Sequence, residues 1–91
     1  MRVHWTTDAL EMLARICDQL ELTSPAYAEA VADAVIKRGN ALETLPYTGR
    51  MLPETSFKPV REVFVAGDRL VYYVGSNQTE IFAVLSQAQK R

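Results

Sequence analysis

Arginine and tyrosine side chains in the second half of the sequence have the clearest capacity for chemistry. Arg61 and Arg69 lie on either side of a predicted hairpin turn, and Arg50 lies upstream in a loop that contains Pro and Gly. A guanidinium group can bind phosphate or carboxylate through a planar fork of N–H donors. The candidate anion-binding set is Arg50, Arg61, Arg69, Tyr72, Tyr73, Lys90 and Arg91.

Strand alternation predicts which way these side chains face. Arg69 and Tyr73 share one face of their strand, whereas Leu70 and Tyr72 share a more apolar face that we expect to pack against helices. Arg69 is therefore expected on the open face of a sheet. Two interpretations stay open there: a functional cation, or a cross-strand ion pair with Glu62 or Glu80. Both tyrosines are interpreted first as packing residues.

The sequence has few residues that could form a metal, cofactor or nucleotide site. The single histidine, His4, and the single cysteine, Cys17, cannot build a multi-histidine or thiolate metal centre, and we expect no metal and no cofactor. The few glycines are scattered, so there is no Gly-rich phosphate loop. Nucleotide hydrolysis is not expected.

Length and charge restrict the classes of partner. The 91 residues predict a single domain spanning 1–91. A net charge of −1 provides no basic face for nucleic acid, so direct nucleic-acid binding is not expected. No apolar run approaches the roughly twenty residues of a membrane span, and the N-terminus has no signal-peptide pattern. We therefore expect a cytoplasmic protein with no membrane association.

The N-terminal half contains the pattern of one strand and two helices. Residues 2–6 alternate as a short strand with one buried face. A helix capped by Thr6 or Thr7 then runs to about Leu22, and Ser24 followed by Pro25 begins a second helix. Gly39 interrupts this second helix, so we expect a bend or fraying there, and we expect the helix to end before Pro46.

The C-terminal half contains a loop and three strands. Residues 46–59 hold most of the prolines and predict an irregular loop. Strands are predicted at 60–65, 69–75 and 79–85, the first two joined at a turn formed by Gly67 and Asp68. The predicted fold is α+β in the order βααβββ, with a helical hairpin packed on one face of a mainly antiparallel sheet.

Several short motifs occur in an order that resembles the ParE/RelE superfamily of toxins from type II toxin–antitoxin systems. The first is Val3-x-Trp5, which is followed by the start of the second helix at Ser24-Pro25. Pro46-Tyr47-Thr48-Gly49-Arg50 resembles the P-x-x-G-R loop of the family, and Gly67-Asp68-Arg69-Leu70-Val71-Tyr72 resembles its G-x-R-h-x-Y strand. The resemblance covers nearly the whole chain.

This resemblance implies one of two activities. RelE-like members are ribosome-dependent mRNA endonucleases, and here they would use Arg61, Arg69, Tyr73 and Lys90. ParE-like members poison DNA gyrase by protein–protein binding and have no catalytic residues. Many members continue the last strand into a basic tail, whereas here Ser86-Gln87-Ala88-Gln89 precedes Lys90. Because acid–base groups are missing from this tail and the net charge is negative, we interpret the chain as ParE-like.

The resemblance also implies partners. The target, DNA gyrase, would contact the cations Arg50, Arg61, Arg69, Lys90 and Arg91. A cognate antitoxin would lie on the helical hairpin and along an outer strand. The residues predicted to bind it are Leu13, Ile16, Leu20, Tyr27 and Val31. A degenerate member that binds antitoxin but poisons nothing is a further alternative.

Overall fold

Two helices cover one face of a five-stranded sheet in the computed structural model, which describes residues 1–52 and 59–87. The first part of the chain forms β1 (Arg2–Trp5), α1 (Thr7–Glu21) and α2 (Pro25–Asn40). Two 3-10 turns follow, at Ala41–Glu43 and Pro46–Thr48. The remaining strands are β2 (Arg50–Met51), β3 (Val60–Val65), β4 (Asp68–Val74) and β5 (Gln78–Ser86).

The strand order across the sheet is β1-β5-β4-β3-β2. β1 lies parallel to β5, and each other neighbouring pair is antiparallel. This arrangement confirms the predicted α+β class with a mainly antiparallel sheet. It also corrects the prediction of an irregular loop over 46–59, because Arg50 and Met51 pair with β3 as an additional edge strand. Residues 53–58 of that predicted loop lie outside the described residues.

Side-chain caps fix where both helices begin. The Thr6 hydroxyl accepts a hydrogen bond from the Ala9 amide at 3.0 Å, and the Ser24 hydroxyl accepts one from Tyr27 at 3.1 Å. Pro25 occupies the first turn of α2, where its missing N–H would have no partner anyway. Both predicted starts are confirmed. Neither α1 nor α2 has the combination of length and apolar character that crossing a membrane requires.

The core lies between the helices and the sheet. α1 contributes Leu13 and Ile16, and α2 contributes Val31 and Val35 from its facing side. Leu70 and Tyr72 meet them from β4, so the apolar face predicted for this strand is confirmed as the core face. The opposite face of the sheet carries no helix among the described residues, and Arg69 lies there as expected.

α2 includes Gly39 and ends at Asn40, directly before the 3-10 turn Ala41–Glu43, so the helix changes character just after the glycine. The glycine is buried beneath the Trp5 ring, and a Cβ atom there would lie only 2.6 Å from Trp5 Cη2. The same ring donates a hydrogen bond from Nε1 to Asn40 Oδ1 at 3.0 Å. Gly39 therefore lets α2 approach β1 closely, and its small size matters more here than its flexibility.

The hairpin turn between β3 and β4 is shifted by one residue from its prediction. Ala66 and Gly67 form the turn, with φ of 52° and 82°, and Val65 pairs with Asp68 across it. Two consecutive positive φ values match the right-handed twist of the flanking strands. Asp68 is thereby the first residue of β4, where it is buried and its Oδ2 atom has no hydrogen-bond partner.

Candidate functional site

The hydroxyl group of Tyr72 connects the two motifs of the C-terminal half. It accepts a hydrogen bond from the Gly49 amide at 2.9 Å and donates one to the Pro46 carbonyl oxygen at 2.8 Å. The ring itself is fully buried in the core. Tyr72 is thus a packing residue, as expected, and its polar end also fixes the start and the end of the segment 46–49.

Gly49 allows this segment to lie directly over β3 and β4. A Cβ atom at position 49 would lie 2.8 Å from the Glu62 carbonyl oxygen and 2.9 Å from Cε1 of Tyr72. Both distances are shorter than ordinary van der Waals contact, and a backbone oxygen cannot move aside as a flexible side chain could. The glycine of the P-x-x-G-R loop is therefore required for close packing.

Arg61 binds the same segment from β3. Its Nη1 atom donates to the carbonyl oxygens of Gly49 at 2.8 Å and Tyr47 at 3.2 Å. The guanidinium carbon also lies 5.2 Å from the centre of the Tyr47 ring, within the range of a cation–π interaction. Arg61 is thus engaged with backbone carbonyl oxygens and an aromatic ring in the folded chain.

Arg50 and Arg69 both bind the carboxylate of Glu62. Arg50 Nη2 contacts Glu62 Oε2, and Arg69 Nη1 contacts Oε1 at 2.8 Å. The Glu62 side chain is fully covered, whereas the side chains of Arg50 and Arg69 are 65% and 34% exposed. A buried carboxylate is tolerated only when it is paired and hydrogen-bonded, and two guanidinium groups supply that pairing.

The two arginines also determine the ionisation of Glu62. Burial by itself would raise the pKa of this carboxyl group. The hydrogen bonds and positive charges of Arg50 and Arg69 outweigh that effect and hold its pKa below the ordinary value. Glu62 is consequently a carboxylate at neutral pH, and the cluster of one anion and two cations has an excess positive charge.

Tyr73 lies farther along β4, opposite Val60 of β3 and Glu80 of β5. Its hydroxyl donates to Glu80 Oε1 at 3.1 Å, and its ring meets Phe82 with centroids 6.3 Å apart. A register shift at Val71 and Tyr72 leaves Phe82 without a partner in the β4–β5 ladder. The packing role expected for Tyr73 agrees with these contacts.

The structure brings three of the five predicted target-binding cations into one region. Arg50 and Arg69 meet at Glu62 of β3, whereas Arg61, the preceding residue of β3, contacts the segment 46–49. Arg69 forms the cross-strand ion pair that was one of its two interpretations, and the partner is Glu62 and not Glu80. Lys90 and Arg91 lie outside the described residues.

The residues predicted to bind an antitoxin are mostly inside the fold. Leu13, Ile16 and Val31 belong to the core, and Leu20 packs against it. Tyr27 is 54% exposed near the tip of the helical hairpin. The apolar helical stripe that suggested a partner surface is therefore largely the stripe that packs on the sheet.

A groove between α1 and α2 remains open to a partner. It has a volume of about 570 Å³, a floor of small residues that includes Ala28 and Ala32, and a rim that carries Glu21 and Glu29. Cys17 also lines it and contacts the Ala28 carbonyl oxygen through Sγ at 3.8 Å. Burial raises the pKa of the Cys17 thiol, with smaller contributions from nearby carboxylates, so the thiol is a structural group at neutral pH.

The sequence matches a family model described as the ParE toxin of the type II toxin–antitoxin system parDE, over residues 3–91. The chain belongs to the ParE toxin family. The match contains both motifs that Tyr72 connects, so the contacts described above lie within the part of this ParE chain that defines the family.

A solved structure has the same fold as this ParE toxin. It is described as a chromosomal ParDE TA system from P. aeruginosa, with a TM-score of 0.79 and 19% sequence identity. The similarity covers 94% of this chain and 95% of that one. No curated protein sequence matches this ParE toxin significantly.

Sequence reasoning missed three features of the site. It treated Glu62 as one of two partners for Arg69 but did not connect it with Arg50, which lies directly opposite on β2. It did not assign the Tyr72 hydroxyl a partner. It also placed Asp68 in a turn, whereas the side chain is buried. Apolar and β-branched residues around Glu62 in β3 were the available signal that this carboxylate would be buried and paired.

Proposed function

We propose that this ParE toxin acts by binding a protein target, DNA gyrase, and that a cognate antitoxin neutralises it. Support comes from the position of an arginine that an endonuclease would need. Arg61 is bound to two backbone carbonyl oxygens and lies against the Tyr47 ring. An arginine that stabilises a cleaved phosphate must direct its donors at the developing charge.

A toxin that acts by binding a protein can use exposed arginines without directing their donors at a reacting phosphate. Arginine and aromatic side chains that are partly exposed on a rigid surface are typical of energetically important contacts in protein complexes. Arg50 is the most exposed of the three clustered cations, and Phe64 is 52% exposed beside it. We therefore propose that the target contacts Arg50 and Phe64 at this end of the open sheet face, and that Lys90 and Arg91 contribute to the same interaction.

A supercoiling assay with purified gyrase tests the target. We expect the purified toxin to inhibit supercoiling, and we expect the Lys90→Ala/Arg91→Ala variant to inhibit more weakly. The matched control is Arg15→Ala/Lys37→Ala, which removes the same charge from exposed positions on α1 and α2. Absence of inhibition by the folded toxin, together with mRNA cleavage on translating ribosomes, would overturn the proposal in favour of the endonuclease alternative.

The antitoxin surface is the groove between α1 and α2, and the exposed Tyr27 near the hairpin tip is a separate candidate contact. An amphipathic helix fits a groove of this kind by inserting apolar side chains over the small residues. We expect Tyr27→Ala to weaken the toxin–antitoxin complex measured by calorimetry, whereas Tyr47→Ala, at an exposed tyrosine beyond α2, should not. Equal weakening by both variants would refute this placement.

Normal growth of cells that express the chain without its antitoxin would contradict both toxic activities. The remaining interpretation would then be a degenerate member that binds antitoxin alone. A growth assay with inducible expression makes this distinction before any target is assigned, provided that the soluble chain is detected in the same cells.

A further inference from the structure

The arginine pair that holds Glu62 also borders an open cleft. The cleft has a volume of about 200 Å³ at the end of the open sheet face, and its lining residues are Arg50, Glu62, Phe64, Arg69, Ser86 and Gln87. Two guanidinium groups face one carboxylate, so the charges leave an excess of one positive charge. The chain as a whole has a net charge of −1, and the cleft is therefore a local exception.

We propose that this cleft binds the carboxylate of an aspartate or glutamate side chain on a protein partner. Each arginine uses a single nitrogen for Glu62, Nη2 in Arg50 and Nη1 in Arg69. A guanidinium has five N–H donors, so both arginines retain donors for a second anion. The exposure of Arg50 and Arg69 gives an incoming carboxylate access to these donors.

Glu62 prepares the arginines for this role. An exposed arginine loses considerable side-chain entropy when a ligand immobilises it. Here the buried carboxylate already holds both guanidinium groups in place, so part of this loss occurs when the chain folds. Glu62 also prevents the two cations from repelling each other, while its full burial leaves it poorly placed to compete for their outer donors.

The surroundings of the cleft favour a protein carboxylate over a polynucleotide phosphate. Phe64 provides a half-exposed apolar wall beside the cations, which fits an acidic residue that is followed by an apolar or aromatic one. A polynucleotide binds through many successive phosphates, but the overall negative charge supplies no continuous basic track. The inference rests on the proposed function only in assigning the acidic segment to the target.

Nuclear magnetic resonance of the ¹⁵N-labelled full chain can test the site without the target. The probe is N-acetyl-Asp-Phe-amide, and the matched control probe is N-acetyl-Asn-Phe-amide. We expect millimolar concentrations of the acidic probe to shift the Nε–H signals of Arg50 and Arg69 saturably. The amide probe should bind about tenfold more weakly, because it lacks the charge that strengthens a guanidinium hydrogen bond.

Two single substitutions test whether the acidic probe binds within the cleft. Arg50→Gln should weaken binding of the acidic probe about tenfold, while Arg69 continues to pair with Glu62 and the fold is retained. Lys37→Gln removes one positive charge from the exposed side of α2 and should leave the affinity unchanged. Equal binding of the two probes to the unaltered chain, or equal affinities of the two variants, would overturn the proposal.

Inorganic phosphate provides the remaining arm of the test. Weaker binding of phosphate than of the acidic dipeptide supports a protein carboxylate, whereas tighter binding of phosphate would overturn that choice of partner. A chain that fails to inhibit gyrase can still bind the dipeptide, and a gyrase inhibitor can fail to bind it. Failure of this inference is therefore distinguishable from failure of the proposed function.

Discussion

Replacing Tyr72 by phenylalanine should destabilise this toxin by about 2–3 kcal/mol. The substitution removes one oxygen atom and keeps the buried ring, so packing is unchanged. The lost oxygen accepts a hydrogen bond from the buried Gly49 amide and donates one to the Pro46 carbonyl. Each hydrogen bond contributes about 1 kcal/mol, and a buried N–H left without an acceptor adds a desolvation cost.

Tyr73→Phe is the matched control, since it removes the same atom from the adjacent residue. The Tyr73 hydroxyl donates to Glu80 on the open face of the sheet, where water can replace the lost partner. We expect a loss of about 0.5 kcal/mol or less there. Urea denaturation followed by circular dichroism measures both variants, and the midpoint should shift without a change in the slope.

Hydrogen exchange adds a local measurement to the global one. In Tyr72→Phe the Gly49 amide should exchange faster relative to the core amides, because its acceptor is gone. The reasoning is wrong if both tyrosine variants lose the same stability, or if Gly49 exchange is unaffected by Tyr72→Phe. Either result would mean that Arg61, and not the tyrosine, holds the segment 46–49 in place.

Three further substitutions test the buried charges and the close approach of α2. Glu62→Gln should lower the free energy of unfolding by about 2 kcal/mol at neutral pH. Because the pKa of Glu62 is lowered, the unaltered chain should lose this stabilisation as pH falls below 4.5. Urea midpoints measured across pH should show that loss in the unaltered chain and not in the variant. Asp68→Asn should raise the free energy of unfolding by about 1 kcal/mol at neutral pH. Burial raises the pKa of Asp68, so this carboxyl group makes the unaltered chain less stable as pH rises above 3.8, and an identical pH dependence of stability in the variant would contradict this. Gly39→Ala should lower the free energy of unfolding by about 2 kcal/mol, because overlap of the new methyl group with Trp5 outweighs the better helix propensity of alanine. The variant should also alter the fluorescence of this single tryptophan, and a stabilised variant would disprove the close contact.

Local chemistry made the helices and main strands predictable. Thr6 and Ser24 mark helix starts by accepting hydrogen bonds from nearby amides, and Pro25 marks one because its missing N–H needs no partner in the first turn. Strand alternation likewise placed Arg69 on the open face. The two-residue strand β2 was not predictable in this way, because Arg50 pairs there with Glu62 across a segment that contains no periodic pattern.

Periodicity identified buried faces but could not distinguish the core from a partner surface. Leu13, Ile16 and Val31 fit both interpretations in the sequence, since an apolar stripe is needed to pack on a sheet and also to receive another helix. Only the position of the sheet decides between them, and it places these side chains inside. Tyr27 differs because it lies at the N-terminal end of α2, near the hairpin tip, where it is 54% exposed.

The motifs that mark the family are connected by contacts that maintain the fold, which limits what they reveal about activity. Arg61 could act on an RNA phosphate only after leaving the two carbonyl oxygens and the Tyr47 ring that it contacts. Releasing those contacts would cost roughly 2–3 kcal/mol, or close to a hundredfold in the population of a competent state. Arg50 has no comparable cost, because most of its side chain is exposed while it contacts Glu62. A target that binds this toxin through Arg50 can therefore be recognised without disturbing the fold, and this difference between the two arginines favours recognition over cleavage.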